Sequence, residues 1–355
     1  MDEKIIKLID TSKQVILDCC LDNGAIVAAN STKEYYPKDA KNYFYVWPRD
    51  GSFICVTCDI IGMKDIQERF FEWLMERAEG WKETGLFYEK YCPNGVKERT
   101  RFQADQTGSV LFAVWHHFKD DKKAAEKYRK LVVHSAEGLC KVWDKDHFTI
   151  STNDCWEERL TFPDIKDNFS YSLAACARGL LCANELFANQ LYITIANQMI
   201  QVLHDSASKT GYYYRAFGKI SDERADASLL GIGWPFEVAD FSSPIFANTV
   251  RFIEEKIVQD YMVHRYENDD YDGWMIDGQN RKKGAGYWPL LNFWMSIVLS
   301  KLGSKDDAVK YYNKVLDSVD KYIPEQIFDN HLQKSVSPLA WSHAMFLVAT
   351  KELGI

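Results

Sequence analysis

"LGSKDDAVKYYNKVL", residues 302–316, is the stretch that decides the fold. An apolar periodic run ends at Leu302, Gly303 stops it, and Ser304 opens the next run at once. Apolar residues recur every three to four positions on both sides, so the stretch reads as two helices joined by a tight turn. Extended outward, the same periodicity predicts twelve helices, over residues 2–19, 49–61, 64–79, 105–118, 122–143, 168–187, 190–206, 222–232, 246–258, 287–302, 304–319 and 337–352. Asp105, Asp222 and Ser337 are expected N-caps, the last with Pro338 at the first helical position. The connections alternate in length. Short turns join the two members of a pair. Long segments rich in aromatics and charges (22–48, 81–104, 144–167, 208–221, 259–286 and 320–336) separate the pairs.

Six helical hairpins closed into a ring would give this alternation, each unit packing on its neighbours. The long loops would then emerge on one face, where function concentrates. The periodicity by itself leaves an irregular helical domain equally open. Gly (19) and Pro (9) are scattered along the 355 residues and no linker divides them, so one domain is expected over 1–355.

The aromatic content, 11 Trp, 19 Tyr and 20 Phe, offers flat amphipathic surfaces of the kind that stack on sugars and bases. A net charge of −8 argues against a nucleic-acid partner, which needs a basic footprint. A neutral small ligand fits better. The nine cysteines are an odd number, and Cys19, Cys20, Cys55, Cys58, Cys176 and Cys182 lie in apolar helical runs. That pattern suggests reduced thiols in a cytoplasmic protein. The N-terminal run has mixed charge unlike a signal peptide, and no apolar run approaches ~18 residues, so no membrane association is expected.

Several stretches can carry chemistry. In "NYFYVWPRDG" (42–51), Tyr43, Phe44, Tyr45 and Trp47 crowd Arg49 and Asp50, and Pro48 pushes Trp47 out of helical conformation. An Arg–Asp pair walled by aromatics presents donors and acceptors to sugar hydroxyls; a plain capped helix start would look the same. "STNDCWEERLTF" (151–162) places Trp156 beside Glu157 and Glu158. A carboxyl packed on an indole with a like charge next to it has its pKa raised, which keeps an acid protonated near neutral pH. Its alternative is a solvated acidic loop. "YIPEQIFDN" (322–330) carries Glu325 behind Pro324, and "VHRYENDDYDGW" (263–274) carries Arg265. The latter has part of a Ca²⁺-loop pattern at Asn268, Asp270, Asp272 and Gly273, but Gln279 stands where the bidentate Glu belongs, so no metal is expected. Cys55 and Cys58 read as buried thiols. His116 and His117 read as carbonyl caps at a helix end.

Taken in order, "YFYVWPRDG", "FQADQTGSVLFAV", "DCWEERLTF", "RYENDDYDGW", "GYWPLLNFW", "IPEQIFDN" and "SPLAWSHAMFLVA" resemble the motif series of glycoside hydrolase family 15, from about residue 40 to 352. The resemblance implies an all-α (α/α)6 barrel of six hairpins with the active site on the long-loop face. It implies hydrolysis of α-glucosidic linkages from the non-reducing end with inversion, and no cofactor. By the same resemblance Glu157 is the general acid and Glu325 the general base. Tyr43 contacts the nucleophilic water, and Arg49 and Asp50 hold the terminal glucose. Trp47, Trp156, Glu158, Arg265 and Trp288 match further wall and substrate-binding positions. Arg99 departs from the pattern: fungal glucoamylases carry a Trp there, near the scissile bond. With neither an N-terminal β-sandwich nor a starch-binding module expected, the inference is a compact member acting on short oligosaccharides. Trehalose hydrolysis within the same family, and a non-catalytic sugar-binding module, are the alternatives. Retention of Glu157 and Glu325 together with Arg49 and Asp50 disfavours the latter.

Overall fold

The structure, a computed structural model, describes residues 2–273, 285–330 and 333–355. Among the described residues there are thirteen α-helices: α1 (Glu3–Cys19), α2 (Pro48–Ile61), α3 (Gln67–Arg77), α4 (Trp81–Thr84), α5 (Ala104–Phe118), α6 (Arg129–Lys141), α7 (Ser170–Leu186), α8 (Gln190–Thr210), α9 (Leu230–Gly233), α10 (Pro244–Ile257), α11 (Pro289–Lys301), α12 (Lys305–Ser318) and α13 (Ala340–Leu353).

Two kinds of helix are distinguishable by what they bury. In α2, α11 and α13 the buried residues run unbroken, from Pro48 to Cys58, Pro289 to Leu299 and Ala340 to Thr350. Helices covered on every side belong in an interior. By contrast α12 buries only Ala308, Tyr311, Tyr312, Val315 and Leu316, one stripe at helical spacing. Together with the largely buried α5 and α7 and the turn α9, the helices α2, α11 and α13 form a closed circuit: α2 packs on α5, α5 on α7, α7 on α9, α9 on α11, α11 on α13, and α13 back on α2. Each has an outer companion, α3 on α2, α6 on α5, α8 on α7, α12 on α11 and α1 on α13, while α10 lies against the turn leading into α9. This is the expected (α/α)6 barrel.

Inner helices must approach closely, and glycine permits it at the α5–α7 crossing. A Cβ on Gly108 would lie 2.4 Å from the Ala175 carbonyl oxygen, and one on Gly179 would lie 2.6 Å from that of Gly108. The deciding turn at 302–305 forms as read, with Gly303 at φ +88°. Ser304 occupies the N-cap position of α12, but its hydroxyl makes no cap bond; Asp306 and Asp307 supply the negative charge of the first turn.

The remaining expected caps are corrected. The N-cap residue of α5 is Gln103, and Asp105 lies inside its first turn. That of α13 is Leu339, so Ser337 and Pro338 precede the helix. The helix expected over 222–232 is also corrected. Asp222 sits in an extended segment bridged to Ala216, and only a 3₁₀ turn (Ala227–Leu229), capped by Asp226, and the single turn α9 follow. Gly231 and Gly233 weaken the helix, and Pro235 forbids its extension. The run expected over 122–143 divides into a 3₁₀ turn (Ala124–Tyr128) and α6.

The strands are short antiparallel ribbons in the loops: Trp143–Asp144 with His147–Phe148, Thr152–Asn153 with Leu160–Thr161, Asn168–Phe169 with Ala216–Phe217, and Val258–Gln259 with Met262–Val263. No described helix is long and apolar enough to cross a membrane. All nine cysteines are free, with Cys55 and Cys58 buried.

Candidate active site

The long connections meet at a cavity of about 270 Å³. All ten residues singled out in the sequence line it: Tyr43, Trp47, Arg49, Asp50, Trp156, Glu157, Glu158, Arg265, Trp288 and Glu325. Lys41, Tyr271 and Trp341, which the sequence reading left aside, line it as well. Tyr271 and Trp341 stand inside quoted motifs, and only their contacts distinguish them from their neighbours.

The floor is built at the start of α2. The aromatic run before it is held extended: the amides of Ala28 and Ala29 donate to the carbonyls of Tyr45 and Tyr43, and Val46 pairs with Tyr91 in both directions. Pro48 at the first helical position leaves Arg49 and Asp50 in the first turn. The Arg49 guanidinium binds Asp105 at 3.0 Å and the Cys155 carbonyl at 3.2 Å, and lies over the Trp341 ring. Its Nε is 3.3 Å from Asp50 Oδ1. Burial pushes the Asp50 carboxyl up to about 7, against the pull of Arg49. Arg49 Nε, Asp50 Oδ1, and the indole N–H groups of Trp288 and Trp341 are buried with no hydrogen-bond partner among the described residues. Buried polar groups nearly always find partners; here Arg49 Nε and Asp50 Oδ1 have each other as an ion pair, whereas the two indole N–H groups, on residues that line the cavity, have none among the described residues.

The 151–162 stretch is a hairpin whose tip is organised by Asp154. Its Oδ1 accepts from the amides of Glu158 (2.9 Å) and Arg159 (3.1 Å), and its Oδ2 from Arg215 at 2.7 Å. This fixes Glu157 at φ +64°, a left-handed conformation uncommon for a side-chain-bearing residue and often found at functional sites. The Trp47 indole N–H donates to Glu157. Burial, then the charge of the buried Glu89, raises the Glu157 carboxyl to about 7. Trp156 donates to Asp226 at 3.0 Å and packs against Trp288, ring centroids 5.6 Å apart.

Glu158 is engaged rather than loose: Arg265 binds it at 2.6 Å and the Tyr266 hydroxyl donates to it. Arg265 in turn holds Asp269 at 2.7 Å and lies over the faces of Trp156, Tyr271 and Trp288. Within the partial Ca²⁺-loop pattern, Gly273 has φ +82°, and a Cβ there would lie 1.9 Å from the Lys334 carbonyl oxygen, so the glycine serves a close backbone approach. Gln279 lies outside the described residues.

Glu325 is 4% exposed. It accepts from the Tyr43 hydroxyl at 3.0 Å and the Tyr271 hydroxyl at 3.1 Å, and these two hydroxyls are 2.8 Å apart. Burial raises its carboxyl to about 7, although both phenols favour the ionised form. His116 and His117 are corrected: both bind Asp59, at 3.0 and 2.6 Å, instead of capping carbonyls.

A model of glycosyl hydrolases family 15 matches residues 80–351. The chain belongs to that family. An uncharacterized glycosyl hydrolase of Methanocaldococcus jannaschii is 28% identical over 378 residues, covering 99% of this chain and 56% of that protein. The chain therefore spans little more than half the length of that relative. An isomaltose glucohydrolase of Kribbella flavida is 21% identical over 351 residues, covering 88% of this chain and 85% of its own. A solved glycosidase in complex with glucose has a TM-score of 0.81 at 20% identity, covering 100% of this chain and 99% of that one, and so shares the barrel.

Proposed function

We propose that this family-15 chain hydrolyses an α-glucosidic bond at the non-reducing end of a short gluco-oligosaccharide, with inversion at the anomeric carbon. The observation that carries the reading is a pair of raised carboxyls, from different loops, opening into one aromatic-walled cavity in unlike surroundings. Glu157 lies beside the buried Glu89 carboxylate, which favours its neutral, proton-donating form. Glu325 accepts from two phenol hydroxyls, which favour the ionised form that takes a proton. In this reading Arg49 and Asp50 hold hydroxyls of the terminal glucose, and Trp156 and Trp288 wall the ring. The coupled Glu158–Arg265 pair orients the next sugar, and residues 1–355 work as one catalytic domain.

The reaction balances on these two groups. Glu157 gives its proton to the glycosidic oxygen as the bond to the anomeric carbon breaks. A water oxygen bonds that carbon from the opposite face and loses a proton to Glu325, whose Tyr43 neighbour also contacts the water. Inverting enzymes hold the two carboxyls roughly 6.5–9.5 Å apart to admit that water. The kinship with an isomaltose glucohydrolase supports glucose as the released unit. Early-time proton NMR of the anomeric signals tests the reading: the glycosyl unit attacked by water is expected as β-glucose, seen as a β excess over the substrate's own anomers from isomaltose or maltose, and as α- and β-glucose in equal amounts from trehalose, whose departing unit keeps its α configuration. An attacked unit released as α-glucose would overturn the mechanism, and no glucose from any α-glucoside would overturn the activity.

A further inference from the structure

We propose that Glu89 is a positioning residue for the acid: a buried carboxylate, anchored by Asn153 and faced by Arg99, that keeps the transferable proton on Glu157. This rests on the hydrolase reading above, and it gives a task to Arg99, the residue that departs from the family pattern.

Glu89 is fully buried and is not among the residues that line the cavity. Three loop segments are stitched together around it. Its amide donates to the Arg101 carbonyl at 3.0 Å, and its carbonyl accepts from the Gln106 side chain at 3.1 Å. The Phe102 carbonyl accepts from the Asn153 amide at 2.8 Å, and the Gln103 side chain donates to the Asp154 carbonyl. Asn153 then turns its own side chain to Glu89, Nδ2 donating to Oε2 at 2.8 Å. Asn153 ends the ribbon strand whose hairpin tip carries Glu157, and the Glu157 amide donates to the Asp154 carbonyl at 3.1 Å. Acid and neighbour are thus held in one frame. The two carboxyls come within hydrogen-bonding reach, and their bond favours a protonated Glu157, which makes Glu157 its donor. Oε1 of Glu89 is buried with no donor among the described residues, the Arg99 Nε being 3.6 Å away. Buried acceptors nearly always find a donor, and a protonated Glu157 supplies one.

Two buried carboxyls in contact share one proton before they give up both. Which of them keeps it depends on their partners. Glu157 accepts from the Trp47 indole and Glu89 from the Asn153 amide, so each has one neutral donor. Arg99 breaks the tie, because its ion pair is with Glu89 and a cation favours charge on the carboxylate beside it. Arg49 and Lys90 draw Glu157 toward ionisation, but burial and then Glu89 outweigh them. Asp50, Glu325, Tyr43 and Lys41 also feel the Glu157 charge. The negative charge therefore rests on Glu89 and the proton on Glu157, facing the cavity.

Two substrates test this on the intact protein: an α-glucoside that it cleaves, isomaltose or maltose, and α-glucosyl fluoride, whose leaving group needs no proton. Both need an ionised Glu325, so the ratio of their kcat/KM values isolates the protonation of Glu157. In the parent this ratio is expected to fall as pH rises through about 7. Burial is the larger cause of the rise of Glu157 from 4.5, so Glu89→Gln is expected to move the midpoint about one pH unit lower and to cut the ratio above it about tenfold, with the fluoride reaction little changed. Arg99→Gln takes a cation from the pair and is expected to move the midpoint upward. Its shift is smaller, because the Arg99 side chain is 43% exposed and solvent screens the ion pair. If Glu89 only supports the loop, Glu89→Gln lowers both substrates together and leaves the midpoint in place; that result would overturn the proposal with the hydrolase reading still standing. An unmoved or lowered midpoint in Arg99→Gln would overturn the part given to Arg99, and it decides the matter should Glu89→Gln fail to fold. A parent protein that cleaves neither substrate would remove both readings.

Discussion

Replacing Glu325 with Gln should abolish most turnover yet make the protein more stable at alkaline pH. Glu325 is 4% exposed, and its carboxyl is raised from 4.5 to about 7 by burial. The folded chain therefore holds a proton there that the unfolded chain releases between about pH 4.5 and 7. Stability from this group is complete below about 4.5, declines as pH rises through that window, and is lost above about 7. The gap of about two and a half pH units, at about 1.4 kcal/mol each, makes the ionised Glu325 cost about 3 kcal/mol above pH 7. Gln is nearly isosteric, can accept from Tyr43 or Tyr271, and does not ionise. For a chain of 355 residues the unfolding entropy is on the order of 0.7 kcal/mol/K, so the variant should melt about 4 °C higher at pH 8. At pH 4, where the carboxyl is neutral in both states, the two proteins should melt together. Thermal denaturation by circular dichroism at the two pH values measures the difference. Equal melting at pH 8, or a gain that persists at pH 4, would refute burial of an ionisable carboxyl as the cause.

Glu157→Gln should lower kcat on isomaltose or maltose by a factor on the order of 10²–10⁴, with α-glucosyl fluoride, whose leaving group needs no proton, largely restoring turnover; equal losses on both substrates would count against Glu157 as the donor. Arg49→Lys should reduce kcat/KM more than tenfold, about 1.4 kcal/mol, because an ammonium cannot reproduce a fork that meets Asp105 and the Cys155 carbonyl together; steady-state kinetics indistinguishable from the parent would dismiss that role. Gly108→Ala should destabilise by about 1–3 kcal/mol, since its Cβ would lie 2.4 Å from the Ala175 carbonyl oxygen and force α5 from α7; unchanged denaturant midpoints would show that the crossing relaxes freely.

The sequence by itself determined the helices and most of the wall of the cavity. Helical periodicity is a local property, so the turn at Gly303, the striped face of α12 and the unbroken apolar run of α11 are legible without a partner. The ordered motifs also named ten residues that line one cavity. Where local signals misled, packing decided. Residues 222–232 carry helix-like spacing, but Gly231, Gly233 and Pro235 leave only a single turn, and a Cβ at Gly231 would strike Tyr171 and one at Gly233 would strike Phe246, so the packing of that wall requires the glycines. Ring closure required α13 to return to α2, a contact between the two ends of the circuit that no window of sequence contains. The same holds for the electrostatics. Glu157 lies at about 7 because the fold buries it beside Glu89, and Glu325 because it is enclosed with Tyr43 and Tyr271. Residue type sets an intrinsic pKa. Desolvation and the charges brought near set the departure from it, and these exist only once residues distant in the chain share one low-dielectric site.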